Sequence, residues 1–397
     1  MEGSRAAGAR LAVLAGSLLL APNVYWILQD QTAWPWDQAM YAFHTLLLSE
    51  AAGGGIVRWT VAMIGAGGAH SPLIAWLGQL FIPFRYITGE IEPALLHLNL
   101  FWSGITLWLI YHTVRKLGAK PLESTISVVA CAASGIFIAM NHQFLTEATQ
   151  CGAVSVMMYA AVKVERRSLT QAVSLTGIAV SLALLSKISS ITFILPFVCY
   201  IAFVILVTRK RPRPRNSWSD VLLAIIASGV ALACVIWYAT NWTAAIQHFR
   251  RATSGEMALQ YGSPVELGRK LQFWSYWLGK SVSPFPLVWA ATIALVSLAA
   301  IVSIIRLKPR SSWSTVESLL DSGALFALTL AGTLCAIVLA FSLQVNEATR
   351  FLVVTAPMVA VLIGWSLSVL YVRAVSATIL VALFDWRASQ SWIRPRP

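Results

Sequence analysis

Five ionisable side chains lie between or beside long apolar stretches and are of types that perform chemistry. These residues are Asp37, His70, Glu147, Lys187 and Arg350. A carboxylate can take a proton from an incoming hydroxyl, and lysine and arginine can neutralise an anionic group. Carboxylates and imidazoles also bind divalent metal ions. The residue types therefore suit proton transfer, anion binding or metal binding, provided that the fold brings them together.

The stretches around these residues are those of a membrane protein, because 58% of the 397 residues are hydrophobic and only 11% are charged. Ten stretches are long enough to cross roughly 30 Å of hydrocarbon. A soluble enzyme with a single anchor is therefore excluded, and we predict an all-α polytopic bundle. The predicted spans are 11–29, 94–114, 122–141, 148–163, 170–186, 189–207, 219–240, 284–305, 322–343 and 351–372.

The distribution of basic residues predicts the orientation of the bundle. The apolar segment 70–84 is short for a crossing, so we place it in the membrane interface. With that choice, 20 of the 29 lysines and arginines face the cytoplasm, as the positive-inside rule requires. Both termini are then cytoplasmic in a multi-pass plasma (inner) membrane protein. The net charge of +13 is thus explained by basic residues on the cytoplasmic side, and no nucleic-acid partner is predicted.

Two long loops, 30–93 and 241–283, face outward in this topology, and long loops commonly carry function. Residues 37–50 and 56–64 are predicted to form short helices on the membrane surface. The second loop combines Arg250 and Arg251 with an aromatic and basic stretch at 269–280, a pattern that suits an anionic lipid headgroup.

Common nucleotide and metalloenzyme signatures are missing from the sequence. There is no Walker A loop, no HExxH, no GxSxG and no complete dinucleotide fingerprint. The five cysteines contain no CxxC pair, so no disulfide framework is predicted. Soluble nucleotide cofactors are therefore not indicated.

Five short motifs, in this order and on one predicted face, resemble those of the GT-C superfamily of integral-membrane glycosyltransferases. They are 36–41 (WDQAMY), 70–73 (HSPL), 145–148 (LTEA), 184–187 (LLSK) and 346–352 (NEATRFL). The pattern is similar to protein O-mannosyltransferases and the lipid A aminoarabinose transferase. Two residues depart from it, because Gln38 stands where the family commonly has Glu and His97 lies where Arg is frequent.

The resemblance implies that residues 1–373 form a transmembrane catalytic domain and that 374–397 form a short basic cytoplasmic tail. Such a domain transfers a hexosyl or pentosyl group from a polyprenyl-phosphate donor, usually with inversion, at the extracytoplasmic face. The acceptor is a glycolipid, a polysaccharide or a protein, and membrane lipid surrounds the site. Relatives often add a soluble external domain after the last span. Only about two dozen residues follow the last predicted span here, so acceptor selection by such a domain is not expected.

The resemblance also implies roles for individual residues. Asp37 is the candidate general base, since a phosphate leaving group departs as a stable anion and needs no general acid. The other implied residues are Lys187, Arg350, Arg250 and Arg251 as phosphate clamp, Tyr41 and His70 as substrate-binding residues, and Glu147 as metal ligand. The requirement for a divalent ion, Mg²⁺, Mn²⁺ or Zn²⁺, stays open, and His70 would be a second ligand.

Other interpretations of the same residues remain. Asp37 can cap a helix, Lys187 can extend to the membrane surface, and Arg350 can form an ordinary ion pair with Glu347. His70 can simply pack or begin a helix. A transporter or flippase of a lipid-linked sugar is the rival function, although ionisable residues near the midplane and an internal repeat are not evident. A non-catalytic scaffold is a third option if Gln38 signals lost activity.

Overall fold

A computed structural model describes residues 2–30, 34, 36–164, 167–208, 217–306, 319–320 and 323–370. The described residues contain α-helices and short 3₁₀ helices but no strand. This confirms the predicted all-α bundle. The cytoplasmic tail predicted for 374–397 and the basic run 209–215 lie outside the described residues.

Sixteen α-helices follow one another along the described chain. The first eight are α1 (Glu2–Gln29), α2 (Trp36–Gly53), α3 (Ile56–Gly65), α4 (Leu73–Gly78), α5 (Arg85–Thr88), α6 (Ile91–Lys116), α7 (Pro121–Ala132) and α8 (Gly135–Asn141). The second eight are α9 (Thr146–Lys163), α10 (Leu169–Ser186), α11 (Ile191–Val207), α12 (Trp218–Thr253), α13 (Leu267–Val282), α14 (Pro286–Arg306), α15 (Ala324–Ser342) and α16 (Thr355–Leu370). Short 3₁₀ helices occur at Gln79–Phe84, Ile188–Ser190, Ala258–Gln260 and Thr349–Val354.

Within the described residues, eight helices are long and apolar enough to cross a membrane. The consecutive helices α7 and α8 make a ninth if they count as one span, and they are bent by 61° at the break between them. The predicted span 148–163 corresponds to α9, whose first turns carry the polar residues Glu147 and Gln150. Among the described residues, fewer helices than the ten predicted spans are therefore long and apolar enough to cross.

The long segment 30–93 folds into short helices as predicted. The observed α2 and α3 contain the predicted segments 37–50 and 56–64. No residue of α3 is buried, and Ile56 and Val57 are 71% and 75% exposed, which suits a helix lying in the membrane interface. Segment 70–84 breaks into α4 and a 3₁₀ turn, and neither is long enough to cross.

Helix α9 approaches α6 closely and thereby fixes the position of Glu147 at its start. Gly152 makes this possible, since a Cβ atom there would lie 2.1 Å from the indole of Trp102 on α6. The turn before α9 is also tied to α6, because the Asn99 side-chain amide donates to the carbonyls of Met140 and Gln143. The residues between α8 and α9 are thus held by both packing and hydrogen bonds.

Candidate active site

An open cavity lies where the loop segments meet the ends of α9, α10 and α12, and its empty space, including open solvent at the mouth, is about 930 Å³. Its walls include five of the residues singled out in the sequence. These are Asp37, Tyr41, His70, Lys187 and Arg350. They are separated by up to several hundred residues in the chain, so only the folded bundle brings them to one place.

A continuous set of ion pairs crosses the inner wall of the cavity. The Arg350 guanidinium donates from Nη2 to Oδ2 of Asp37 at 2.9 Å, and its Nε lies 3.4 Å from Oε1 of Glu147. The same Oε1 accepts a hydrogen bond from Nζ of Lys187 at 2.8 Å. Arg350 therefore joins the two carboxylates, and Glu147 joins the two cations.

The charges in this network differ in their exposure. The Glu147 side chain is only 2% exposed, whereas Lys187, Arg350 and Asp37 are 23%, 32% and 40% exposed. A buried carboxylate is costly unless it is paired, and Glu147 has two cations and also lies in the first turn of α9, where the helix dipole favours a negative charge. Glu147 thus anchors the two cations, whose exposed portions remain accessible from the cavity.

Each charged residue is held by the end of a helix. Asp37 lies in the first turn of α2, and Lys187 follows the last residue of α10 in an extended conformation. The Lys187 ammonium lies 4.1 Å from the centroid of the Phe351 ring, which adds a cation–π contact. Lys187 therefore does not merely extend to the membrane surface, because it points at Glu147 and the cavity.

An aromatic wall stands beside Asp37. The rings of Tyr41 and His70 meet edge to face at 5.8 Å, and the ring of His70 lies 4.1 Å from that of His248. Burial lowers the pKa of His70 to about 4, with a further contribution from His248. Burial also raises the pKa of Tyr41, as do the charges of Glu147 and Asp37. Both side chains are therefore neutral near pH 7.

His248 was not predicted as a site residue. It lines the cavity together with Phe249, Ala252 and Thr253 on the last turns of α12. These positions recur at the spacing of one helix face. Had the helix been predicted to continue to 253, this periodicity would have indicated His248.

The structure does not bring Arg250 and Arg251 into the cavity with the other residues of the predicted phosphate clamp. Both side chains are exposed and neither lines the cavity. The reason is helical periodicity, since the cavity is lined by 248, 249, 252 and 253, which leaves 250 and 251 on the other side of α12. The alternative pairing of Arg350 with Glu347 is not observed either, because Glu347 binds Lys270 instead.

Gln38 has a structural function that its side-chain amide performs without a carboxylate. Its Oε1 accepts a hydrogen bond from the backbone N–H of Phe144 at 2.9 Å, which joins α2 to the turn just before Glu147. The amide thereby holds Asp37 and Glu147 on neighbouring elements. The departure from the family pattern at this position is compatible with an intact site.

The groups around Glu147 do not form an obvious site for the divalent metal ion that the sequence left open. Among the described residues no group of three or more His, Cys, Asp and Glu side chains is placed to hold a metal ion. Glu147 is paired with Lys187 and Arg350, which are cations and not ligands, and it accepts a hydrogen bond from the Thr146 hydroxyl at 3.3 Å. Metal dependence stays a prediction.

Comparison with known proteins agrees with this architecture. The family model described as dolichyl-phosphate-mannose-protein mannosyltransferase matches residues 69–238. The structure is similar to that of ArnT from Cupriavidus metallidurans bound to undecaprenyl phosphate, at 13% identity and a TM-score of 0.60, over 98% of this chain and 64% of ArnT. It is also similar to apo ArnT, at 14% identity and a TM-score of 0.54, over 91% of this chain and 60% of that one. A comparison with curated proteins finds no match.

The fold is that of a polytopic helical membrane protein, and the family-model match together with the similarity to ArnT supports the predicted resemblance to the GT-C superfamily. The chain spans less than two thirds of the length of the ArnT structures that it matches. The similarity to ArnT therefore concerns the fold alone.

Proposed function

We propose that the protein transfers a sugar from a polyprenyl-phosphate donor to an acceptor hydroxyl, with Asp37 as the general base. The observation that carries this proposal is the cavity in which one carboxylate, Asp37, lies beside two cations, Lys187 and Arg350. The similar fold of ArnT, in a structure with bound undecaprenyl phosphate, supports a polyprenyl phosphate as the donor carrier.

In the proposed reaction the acceptor hydroxyl oxygen attacks the anomeric carbon of the donor sugar. Asp37 accepts the hydroxyl proton as the new carbon–oxygen bond forms. The bond between the anomeric carbon and the phosphate oxygen breaks, and its electron pair stays on the phosphate. Attack from the face opposite the phosphate inverts the anomeric configuration.

The two cations stabilise the charge that develops on the leaving phosphate. The Lys187 ammonium and the Arg350 guanidinium are partly exposed to the cavity while Glu147 fixes them from below. Cations that are already in position before the reaction need little rearrangement during it. Such preorganised charges therefore lower the activation barrier strongly. A phosphate is a good leaving group as an anion, so the site needs no second acid.

The aromatic wall supports sugar binding next to the base. Tyr41, His70 and His248 line the cavity together with Asp37, and their rings contact one another. Neutral aromatic rings cover the apolar face of a sugar without adding charge near the anomeric carbon. We place the reaction at the extracytoplasmic face, with both termini in the cytoplasm and a glycolipid, polysaccharide or protein as acceptor.

The test is sugar transfer by purified protein in liposomes with a polyprenyl-phosphate sugar and candidate acceptors. Asp37→Asn should lower the turnover rate by about 10²–10⁴-fold, because it removes the proton acceptor. Glu50→Gln is the matched control, since Glu50 is a carboxylate on the same helix α2 and is 72% exposed. The control should retain the wild-type rate.

Two outcomes would contradict the proposal in different ways. Undiminished transfer by Asp37→Asn would reject the base assignment alone. Movement of the donor across the bilayer with no transfer to any acceptor would instead favour the transporter or flippase.

A further inference from the structure

Lys270 is a buried lysine outside the cavity that the reaction does not use. It lies near the start of α13 in the second external loop, and its side chain is only 2% exposed. Its Nζ donates to Oε1 of Glu347 at 2.5 Å and to the backbone carbonyl of Val345 at 2.8 Å. Desolvation offsets much of the attraction in a buried ion pair, so the main effect of this pair is to fix the position of the Glu347 side chain.

The turn that Lys270 contacts carries Arg350 into the cavity. The second external loop also holds this turn through backbone bonds, because Val345 N–H donates to the carbonyl of Thr253 at 2.9 Å and Glu347 N–H to that of Tyr261 at 3.1 Å. Gly262 packs so closely that a Cβ atom there would lie 2.1 Å from the carbonyl oxygen of Val345. The backbone of the turn is thus fixed independently of Lys270.

The side chain of Glu347 is the group that depends on Lys270. Glu347 precedes Arg350 by three residues, a separation that two long side chains can span. If its charge were not neutralised, Glu347 would compete with Asp37 and Glu147 for the guanidinium. The Arg350 side chain is 32% exposed, so it is not fully enclosed by its neighbours.

We propose that Lys270 is a positioning residue that binds Glu347 and so keeps Arg350 on Asp37 and Glu147. Lys270 acts on the site through the charge of Glu347 and does not touch the substrate. This inference rests on the proposed function for its effect on catalysis, but the position of Arg350 can be observed without any turnover.

The test compares Lys270→Met, Glu347→Gln and the double variant. Lys270→Met should lower kcat/KM for the polyprenyl-phosphate sugar by about 10–100-fold, since misplacing a catalytic group by about 1 Å can cost about 10²-fold. The double variant should recover most of this loss, because it removes the competing carboxylate. Replacing Glu347 would also relieve a purely structural loss, so the position of Arg350 in Lys270→Met decides between the two roles. Lys280→Met is the matched control, since Lys280 is an exposed lysine on the same helix.

The structure of Lys270→Met supplies the second readout. The guanidinium of Arg350 should leave Asp37 Oδ2, now 2.9 Å away, and contact Glu347, whereas the double variant should restore the original contact. An unchanged Arg350 contact in Lys270→Met would overturn the inference. So would a double variant as impaired as Lys270→Met. Displacement of Arg350 together with a wild type that transfers no sugar would refute the proposed function and leave the inference standing.

Discussion

Arg350 is the residue whose replacement tests the site most directly, because its guanidinium binds two carboxylates through different nitrogen atoms. Nη2 contacts Asp37 at 2.9 Å and Nε lies 3.4 Å from Glu147. Arg350→Met removes both the charge and the bridge. Arg350→Lys retains the charge, but a single ammonium cannot reproduce the forked geometry.

The structural cost of Arg350→Met follows from these contacts. Two unit charges 3.4 Å apart attract by about 5 kcal/mol at an effective dielectric constant of about 20. Most of that attraction is offset by desolvation, Arg350 is partly exposed, and Lys187 still neutralises Glu147. We therefore expect a loss of about 1–3 kcal/mol in the free energy of unfolding, which leaves a folded protein.

The catalytic cost should be larger than the structural one. Removing one preorganised group that stabilises developing charge costs about 10²–10³-fold in kcat. We expect Arg350→Met to lose about 10³-fold in sugar transfer and Arg350→Lys to lose about 10²-fold, because only the bridging geometry is lost in the latter.

The assay is sugar transfer in liposomes, with a thermal melt of each variant to confirm folding. Arg251→Met is the matched control, since Arg251 is an exposed arginine that does not line the cavity. Full activity of Arg350→Lys would refute the importance of the bridge. A loss in Arg251→Met equal to that in Arg350→Met would show that general surface charge, and not the cavity, governs the rate.

Two further predictions concern stability. The pKa of His70 is lowered to about 4 in the folded protein, so between pH 6.5 and 4 only the unfolded chain takes up this proton. The free energy of unfolding should therefore decrease as the pH is lowered through this range, by up to about 1.4 kcal/mol per pH unit. Thermal melts of His70→Asn should show a shallower pH dependence than the wild type, and identical slopes would contradict this. Gly152→Ala should cost about 1–3 kcal/mol by forcing a Cβ into Trp102, whereas Gly177→Ala, with no atom within 4 Å of its Cβ, should not; equal melting temperatures would refute the close contact.

Much of the architecture was predictable from the sequence, because hydrocarbon imposes a simple rule on a chain that crosses it. Apolar stretches of sufficient length predicted most of the spans, and their polar boundaries predicted α2 and α3 as short helices. The predicted span 148–163 corresponds to α9, which begins with polar residues that belong to the site. Local composition does not separate a polar span end from an interfacial helix.

The sequence also determined which residue types are available for chemistry. Asp37, Lys187 and Arg350 were found because ionisable groups beside apolar spans are few and costly, so each needs a partner or a function. Order along the chain and the common predicted face indicated that they meet. Their roles in a reaction remain predictions, which the variants above address.

Only the tertiary structure decided how these groups pair. Sequence proximity favoured Arg350 with Glu347, but the fold gives Arg350 to Asp37 and Glu147 and gives Glu347 to the buried Lys270. The physical reason is that ion pairing depends on distances of a few ångströms between elements that lie far apart in the chain. Composition and spacing fix which charges exist, and packing fixes which of them come within contact of one another.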